Sequence, residues 1–299
     1  MSNHLFKLNK LRSRKLFLFT LFTLLVTFNI FYIRYGVSQR HNDLEGVNIA
    51  VYNDSGVLQS SYYALVEMFE WMNATVNGID ANDILGGVLS NYDIVAVPGG
   101  NSLLFYTRLG DEGLEIIRNF VRNGGSYFGI CGGASFGVDN LNLISGYFLS
   151  TNPEIPSGTY ILEMNVNQES TGPDLSNEPA SYQLLYWSSR YFHSEDMSNV
   201  NPIMTYIHND QPGMITFEYG TGTVFLSFPH PEYEENSDRD GTSYFDSYDD
   251  PDSEWNLLLK ISLWLYIASD AMDFWIALII TVTTATVMSI FIIYHRRKR

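Results

Sequence analysis

The chain has 299 residues, 45% of them hydrophobic, with 20 Tyr and 19 Phe, so it can bury a sizeable core in one large domain or two small ones. Its net charge is −16, and residues 41–273 hold 33 acidic side chains against 6 basic ones, a surface that repels phosphate backbones and excludes nucleic acid as a partner. One cysteine, Cys131, excludes an internal disulfide and any multi-thiolate metal site.

The first feature in chain order is a basic segment, residues 1–15, with Lys7, Lys10, Arg12, Arg14 and Lys15. Residues 16–33 then run for 18 positions without a charge, and residues 274–294 do so for 21 near the other end, before the basic tail 295–299. Each run has the length of a membrane-crossing helix, which predicts spans over 16–37 and 273–294. A cleaved signal peptide is the other reading of the first run. Its length, and the want of small residues in "YIRYGVSQR", favour an anchor. With basic residues on the outer sequence side of both spans, the expectation is a two-pass protein in the lipid bilayer, both termini cytoplasmic and the domain 44–269 outside.

Within that domain, "GVNIAVYND" (46–54) predicts a buried strand, and 56–73 has apolar residues at helical spacing. A second strand is expected near 73–79 and a third in "NYDIVAVPGGN" (91–101), ending in a glycine turn. Residues 110–125 predict a helix, with acidic residues in the first turn, Arg122 in the last and a glycine pair as the stop; "SYFGIC" (126–131) predicts the next strand. That rhythm implies a parallel sheet with helices on both faces. Further strands, several antiparallel, are expected near 146–151, 159–167, 181–192, 203–208, 214–219 and 223–228, with a hairpin turning near Gly220 to Gly222. Residues 253–269 predict a closing helix capped by Ser253, and residues 234–254 a solvated acidic loop, with calcium binding by its carboxylates as the weaker reading.

Cys131 falls where a parallel strand ends, between Gly129 and the pair Gly132 and Gly133. Ligands of open parallel sheets bind beyond such carboxyl ends. The pattern G-x-C-x-G fits a nucleophile elbow, a tight strand-to-helix turn whose neighbours must have almost no side chain. The helix that follows points its amino end at the sulfur, and the Gly132 amide faces an oxyanion, with Gly100 in the "VPGGN" turn as the second donor. A thiol nucleophile needs a base. His230, in "VFLSFPHPEY", stands at the end of an apolar strand with Glu232 two residues on, close enough to orient its ring. His193 and His208 are assigned no role.

"GICGG" with "HPE" resembles the class I glutamine amidotransferase superfamily, and "VPGGN", the segment from Phe105 to "GICGGASFG" and "FPHPEYEENSDRDG" resemble the family named after the N-terminal domain of some biotin–protein ligases. The resemblance extends over roughly residues 46–268. It implies a flavodoxin-like α/β three-layer sandwich with a mixed second half, and a triad of Cys131 as nucleophile, His230 as base and Glu232 as orienting carboxylate. No ligase or synthetase domain is expected beyond it, which disfavours channelled amide transfer. The expected function is therefore a membrane-anchored, outward-facing thiol amidohydrolase acting on a small-molecule amide or peptide, without cofactor or metal. The alternative is a non-catalytic ligand-binding or sensor module on the same fold.

Overall fold

The structure, a computed structural model, describes residues 43–268 apart from 145–147, 152–153, 156, 188–189, 194–197, 235 and 251. These residues fall in one unit, Asp43–Trp275. Its frame is a nine-stranded sheet. β1 (Asn48–Tyr52), β2 (Thr75–Ile79), β3 (Ile94–Val97), β4 (Ser126–Ile130) and β11 (Gly222–Ser227) form the parallel part, ordered β2-β1-β3-β4-β11. The sheet continues antiparallel through β10 (Pro212–Tyr219), β9 (Asn201–Tyr206), β6 (Thr159–Val166) and β7 (Ser181–Trp187). β5 (Phe148–Thr151) and β8 (Arg190–His193) pair apart from it.

Alternation along the parallel strands builds the layers. In β1, Ile49 and Val51 enter one core and Ala50 and Tyr52 the other; in β3, Ile94 and Ala96 oppose Val95 and Val97 in the same way. The first face is covered by α1 (Gln59–Trp71), through Leu65, Met68 and Phe69, and by α5, described over residues 255–268, through Trp255, Leu258 and Ile261. The second is covered by α2 (Ala81–Leu85) and α3 (Ser102–Arg122), through Ile84, Phe105, Leu114 and Ile117. Strands apolar on both faces and helices apolar on one stripe leave this as the arrangement that buries everything.

Several expectations change in detail. The helix predicted over 110–125 is the second half of α3. The Asn101 side chain caps the helix much earlier, accepting from the Leu103 and Leu104 amides, and the two halves meet at a kink at Gly110 (φ 59°, ψ −176°). The single strand expected over 181–192 is two, β7 and β8, in different sheets. The hairpin forms as expected: Tyr219 pairs with Gly222 across Gly220, whose φ of 67° suits glycine.

The membrane-spanning helices, and the two-pass placement built on them, are corrected. Among the described residues no helix is long and apolar enough to cross a membrane. α3 has the length, but it carries Arg108, Asp111, Glu112, Glu115, Arg118 and Arg122 and is amphipathic, as a helix on a sheet must be. The runs 16–37 and 273–294, and the tails 1–15 and 295–299, lie outside the described residues.

The loop 234–254 is not simply solvated. Asp240, Asp250 and Glu254 are buried in it. Glu234 Oε1 accepts from Arg239 Nη2 at 2.6 Å and from Ser253 Oγ at 2.5 Å, and Asp240 accepts from the Glu234 and Thr242 amides at 3.1 and 3.0 Å. Ser253, expected as a helix cap, is thus mainly a strut of this loop. The Arg239 guanidinium lies 4.0 Å from the Trp255 ring centroid, pinning the loop to α5 by a cation–π contact. Among the described residues no three acidic, histidine or cysteine side chains converge to hold an ion.

Burial pushes Asp250 up to about 6, and its Oδ2 is buried without a partner. A carboxyl raised above its unfolded value of 3.8 favours folding while protonated, and that contribution is lost as pH rises through about 6. Asp250→Asn is therefore expected to raise the urea midpoint at pH near 7 and to change it little near pH 4, measured by fluorescence-detected unfolding.

Candidate active site

The carboxyl ends of β1, β3, β4 and β11 share one edge of the sheet, and the segments leaving them build the site. Val97 pairs with Gly129, and Gly129 with Leu226, so Cys131 emerges between the turn at Gly99 and the segment starting at Phe228. The Cys131 amide donates to Ser227 O at 2.7 Å, which ties the elbow to the strand that carries His230.

Cys131 has φ 49° and ψ −102°, a conformation that costs an L-residue about 1–3 kcal/mol and persists only where its surroundings enforce it. The neighbours show what enforces it. A Cβ on Gly132 would lie 2.2 Å from Gly100 O, and one on Gly133 would lie 2.0 Å from Val97 O. The elbow backbone thus packs directly on the β3 turn with no room for a side chain. Ser135 N–H closes the first helical bond onto Cys131 O at 2.9 Å, opening α4 (Gly132–Ser135), which widens into a π-helical turn over Phe136–Asn140. The helix behind the sulfur is therefore short, and its dipole correspondingly weak. The thiol itself is partly exposed.

His230 and Glu232 are brought to the same place. His230 is held by its amide, which donates to Leu185 O at 3.0 Å. Its Nδ1 lies 2.9 Å from Glu232 Oε1, and both side chains are fully buried. The Trp255 indole N–H donates to Glu232 O at 3.0 Å, fixing the backbone that presents the carboxylate. Burial acts most strongly on the ring and opposes its charge. The Glu232 carboxylate and the Cys131 sulfur together outweigh burial and push His230 up to about 10. Its Nε2 is buried and completes no hydrogen bond of ordinary geometry, while Cys131 is near enough to act on the ring's charge. Bonds of this kind often close only when substrate binds.

Gly100 and Gly132, the two amides expected to face an oxyanion, stand against one another: the Cβ position of Gly132 is 2.6 Å from Gly100 N. Among the described residues neither amide donates to a protein acceptor. Aromatic rings wall the histidine: Trp187 at 5.8 Å and Tyr233 at 5.5 Å between centroids, with Tyr244, half-exposed, packed outside Trp187. A cavity of about 530 Å³ lined by Leu89, Tyr92, Asp93, Asn119, Asn123 and Tyr266 lies at the amino ends of β3 and β4, away from the thiol.

One residue of the site carries no signal in the sequence. Ser61, on α1 and fully buried, accepts from the Gly99 amide at 2.9 Å and donates to Glu232 Oε1 at 2.7 Å. It sits 171 positions from Glu232, and nothing in "LQSSYYA" sets it apart from Ser60.

Parallel sheet, glycine-packed thiol elbow and PGG turn together make an α/β domain with its candidate thiol at the carboxyl edge of the sheet. More particularly, residues 47–154 match the family described as "Biotin-protein ligase, N terminal". That match takes in the PGG turn and the elbow but ends before His230 and Glu232, so it is narrower than the span of roughly 46–268 expected from the sequence. An uncharacterized protein of Chlamydia muridarum is 28% identical, with 62% of this chain and 80% of that protein aligned. A biotin–protein ligase of Schizosaccharomyces pombe is 26% identical over 47% of this chain, with only 25% of the ligase aligned. Among solved structures, a glutamine amidotransferase from Thermotoga maritima has a TM-score of 0.48 at 13% identity, over 76% of this chain and 97% of that one.

Proposed function

We propose that the domain is a thiol amidohydrolase whose substrate is a small-molecule amide or a peptide. The observation that carries this reading is the meeting of a strained, partly exposed thiol with a buried histidine–carboxylate pair at one edge of the sheet.

In this reaction the proton of the Cys131 thiol rests on His230 Nε2, where the raised proton affinity of the ring holds it, and the Cys131 sulfur attacks the amide carbonyl. The C–S bond forms as the carbonyl π pair moves onto oxygen, and the Gly100 and Gly132 amides stabilise that oxyanion. Collapse breaks the C–N bond, and the imidazolium returns its proton to the leaving amine. Water, deprotonated by the same ring, then cleaves the thioester and restores the thiol. Glu232 keeps the ring oriented and balances its charge.

The test is incubation with a panel of amides and amide-mimicking electrophiles, followed by intact-mass and peptide mass spectrometry. The expected result is an acyl adduct on the peptide containing Cys131, absent in Cys131→Ala. A panel that leaves Cys131 unmodified in the folded wild type, while a non-covalent ligand protects the site, would favour the binding-module reading instead.

A further inference from the structure

The Ser61 contacts imply an order of protons across the site. A backbone N–H can only donate, so at Gly99 the Ser61 oxygen is the acceptor. The single hydroxyl proton is then free for the other contact, and Glu232 Oε1, at 2.7 Å, receives it. That oxygen also faces His230 Nδ1 at 2.9 Å. With Ser61 donating from one side, Oε1 accepts from the other, so Nδ1 carries a proton and Nε2 is the nitrogen left to exchange one with the thiol. Donation runs from the Gly99 amide, which does not titrate, to Ser61 and from Ser61 to Glu232, where it meets the donation coming from His230 Nδ1.

We infer that Ser61 is a positioning residue, which locks Glu232 as a double acceptor and couples the carboxylate behind the base to the turn that presents the Gly100 amide. The inference rests on the thiol reading above, but it extends beyond the triad. Gly99 adjoins Gly100, and α1 is bound to the same turn by the Leu58 amide donating to Gly99 O at 2.9 Å. A displacement of α1 is thereby felt at both the base and the oxyanion side. Neighbouring Ser60 reinforces the tie, its hydroxyl lying 2.7 Å from the Tyr233 hydroxyl. No other side chain among the described residues hydrogen-bonds to the Glu232 carboxylate beyond Ser61 and His230, and its Oε2 is buried without a partner. Loss of the serine hydroxyl therefore leaves the carboxylate held only by the ring it should orient.

Two measurements test this in the full chain. The first is iodoacetamide labelling of Cys131 near pH 6 and near pH 9.5 in the wild type, Ser61→Ala, Ser61→Thr and His230→Ala. Ser61→Ala should lose about tenfold in rate near pH 6 and change little near pH 9.5, and Ser61→Thr, which keeps the hydroxyl, should recover most of the loss. A folded Ser61→Ala with the wild-type profile overturns the positioning role. If His230→Ala also keeps that profile, it is the thiol–histidine reading that fails; if His230→Ala alone collapses near pH 6, only the Ser61 inference does. The second measurement needs no variant: in ¹⁵N-resolved NMR of the wild type, the His230 ring should retain its Nδ1 proton when neutral. A neutral ring protonated on Nε2 reverses the deduced order and overturns the inference even if Ser61→Ala does not fold.

Discussion

Glu232→Ala is expected to destabilise the domain by about 3–5 kcal/mol, the largest stability loss of any single change at the site. Glu232 is buried, its Oε1 takes hydrogen bonds from two partners, and its charge is the larger of the two influences, with the Cys131 sulfur, that hold His230 up near 10 against burial. Removing it strands a buried imidazolium and leaves the Ser61 hydroxyl without its acceptor. The pH dependence gives the sign. A ring raised from 6.5 to about 10 contributes stability that is fully present below 6.5 and lost as pH rises through about 10. Urea unfolding of the wild type should therefore weaken between those values, and Glu232→Gln, which removes the charge but keeps an acceptor, should flatten that slope. A wild-type midpoint insensitive to pH across this window would mean that the ring is not held charged by Glu232.

His230→Ala carries the largest expected effect on rate. On any amide that acylates Cys131, turnover should fall by about 10⁴–10⁶-fold, and the double variant with Cys131→Ala should be scarcely worse than either single one, because residues that act as a unit are not additive. Initial rates on the four proteins of that cycle check it. Additive losses would separate the histidine from the thiol. Cys131→Ala should itself fold, since it removes only a sulfur that is partly exposed.

Much of this site is legible along the chain because its parts are local. The apolar runs of β1, β3 and β4, the glycines around Cys131 and the two-residue step from His230 to Glu232 each follow from short-range rules, and the strand register brings them together. What is not legible depends on distance or on competing local signals. Ser61 reads as one more helical serine until Glu232 folds onto it. The start of α3 hides in the "PGGN" turn, because Asn101 serves both as the end of that turn and as the cap of the helix. The acidic run 234–254 looks solvated by composition, but Arg239 and a set of backbone amides accommodate its carboxylates inside the fold. The elbow also looks, in sequence, like the start of an ordinary helix, whereas the chain leaves Cys131 through one α-turn and a π-turn.

The coupling of Cys131 to His230 is the centre of this account, and the most direct measurement of it is the rate of Cys131 alkylation across about pH 5 to 10 in the wild type and in His230→Ala. A ring that takes the thiol's proton should keep the wild type reactive near pH 6, where His230→Ala should be slower by at least about tenfold, with the two rates converging near pH 9.5. Superimposable profiles would mean that the histidine never receives that proton, and would contradict the thiol amidohydrolase reading at its root.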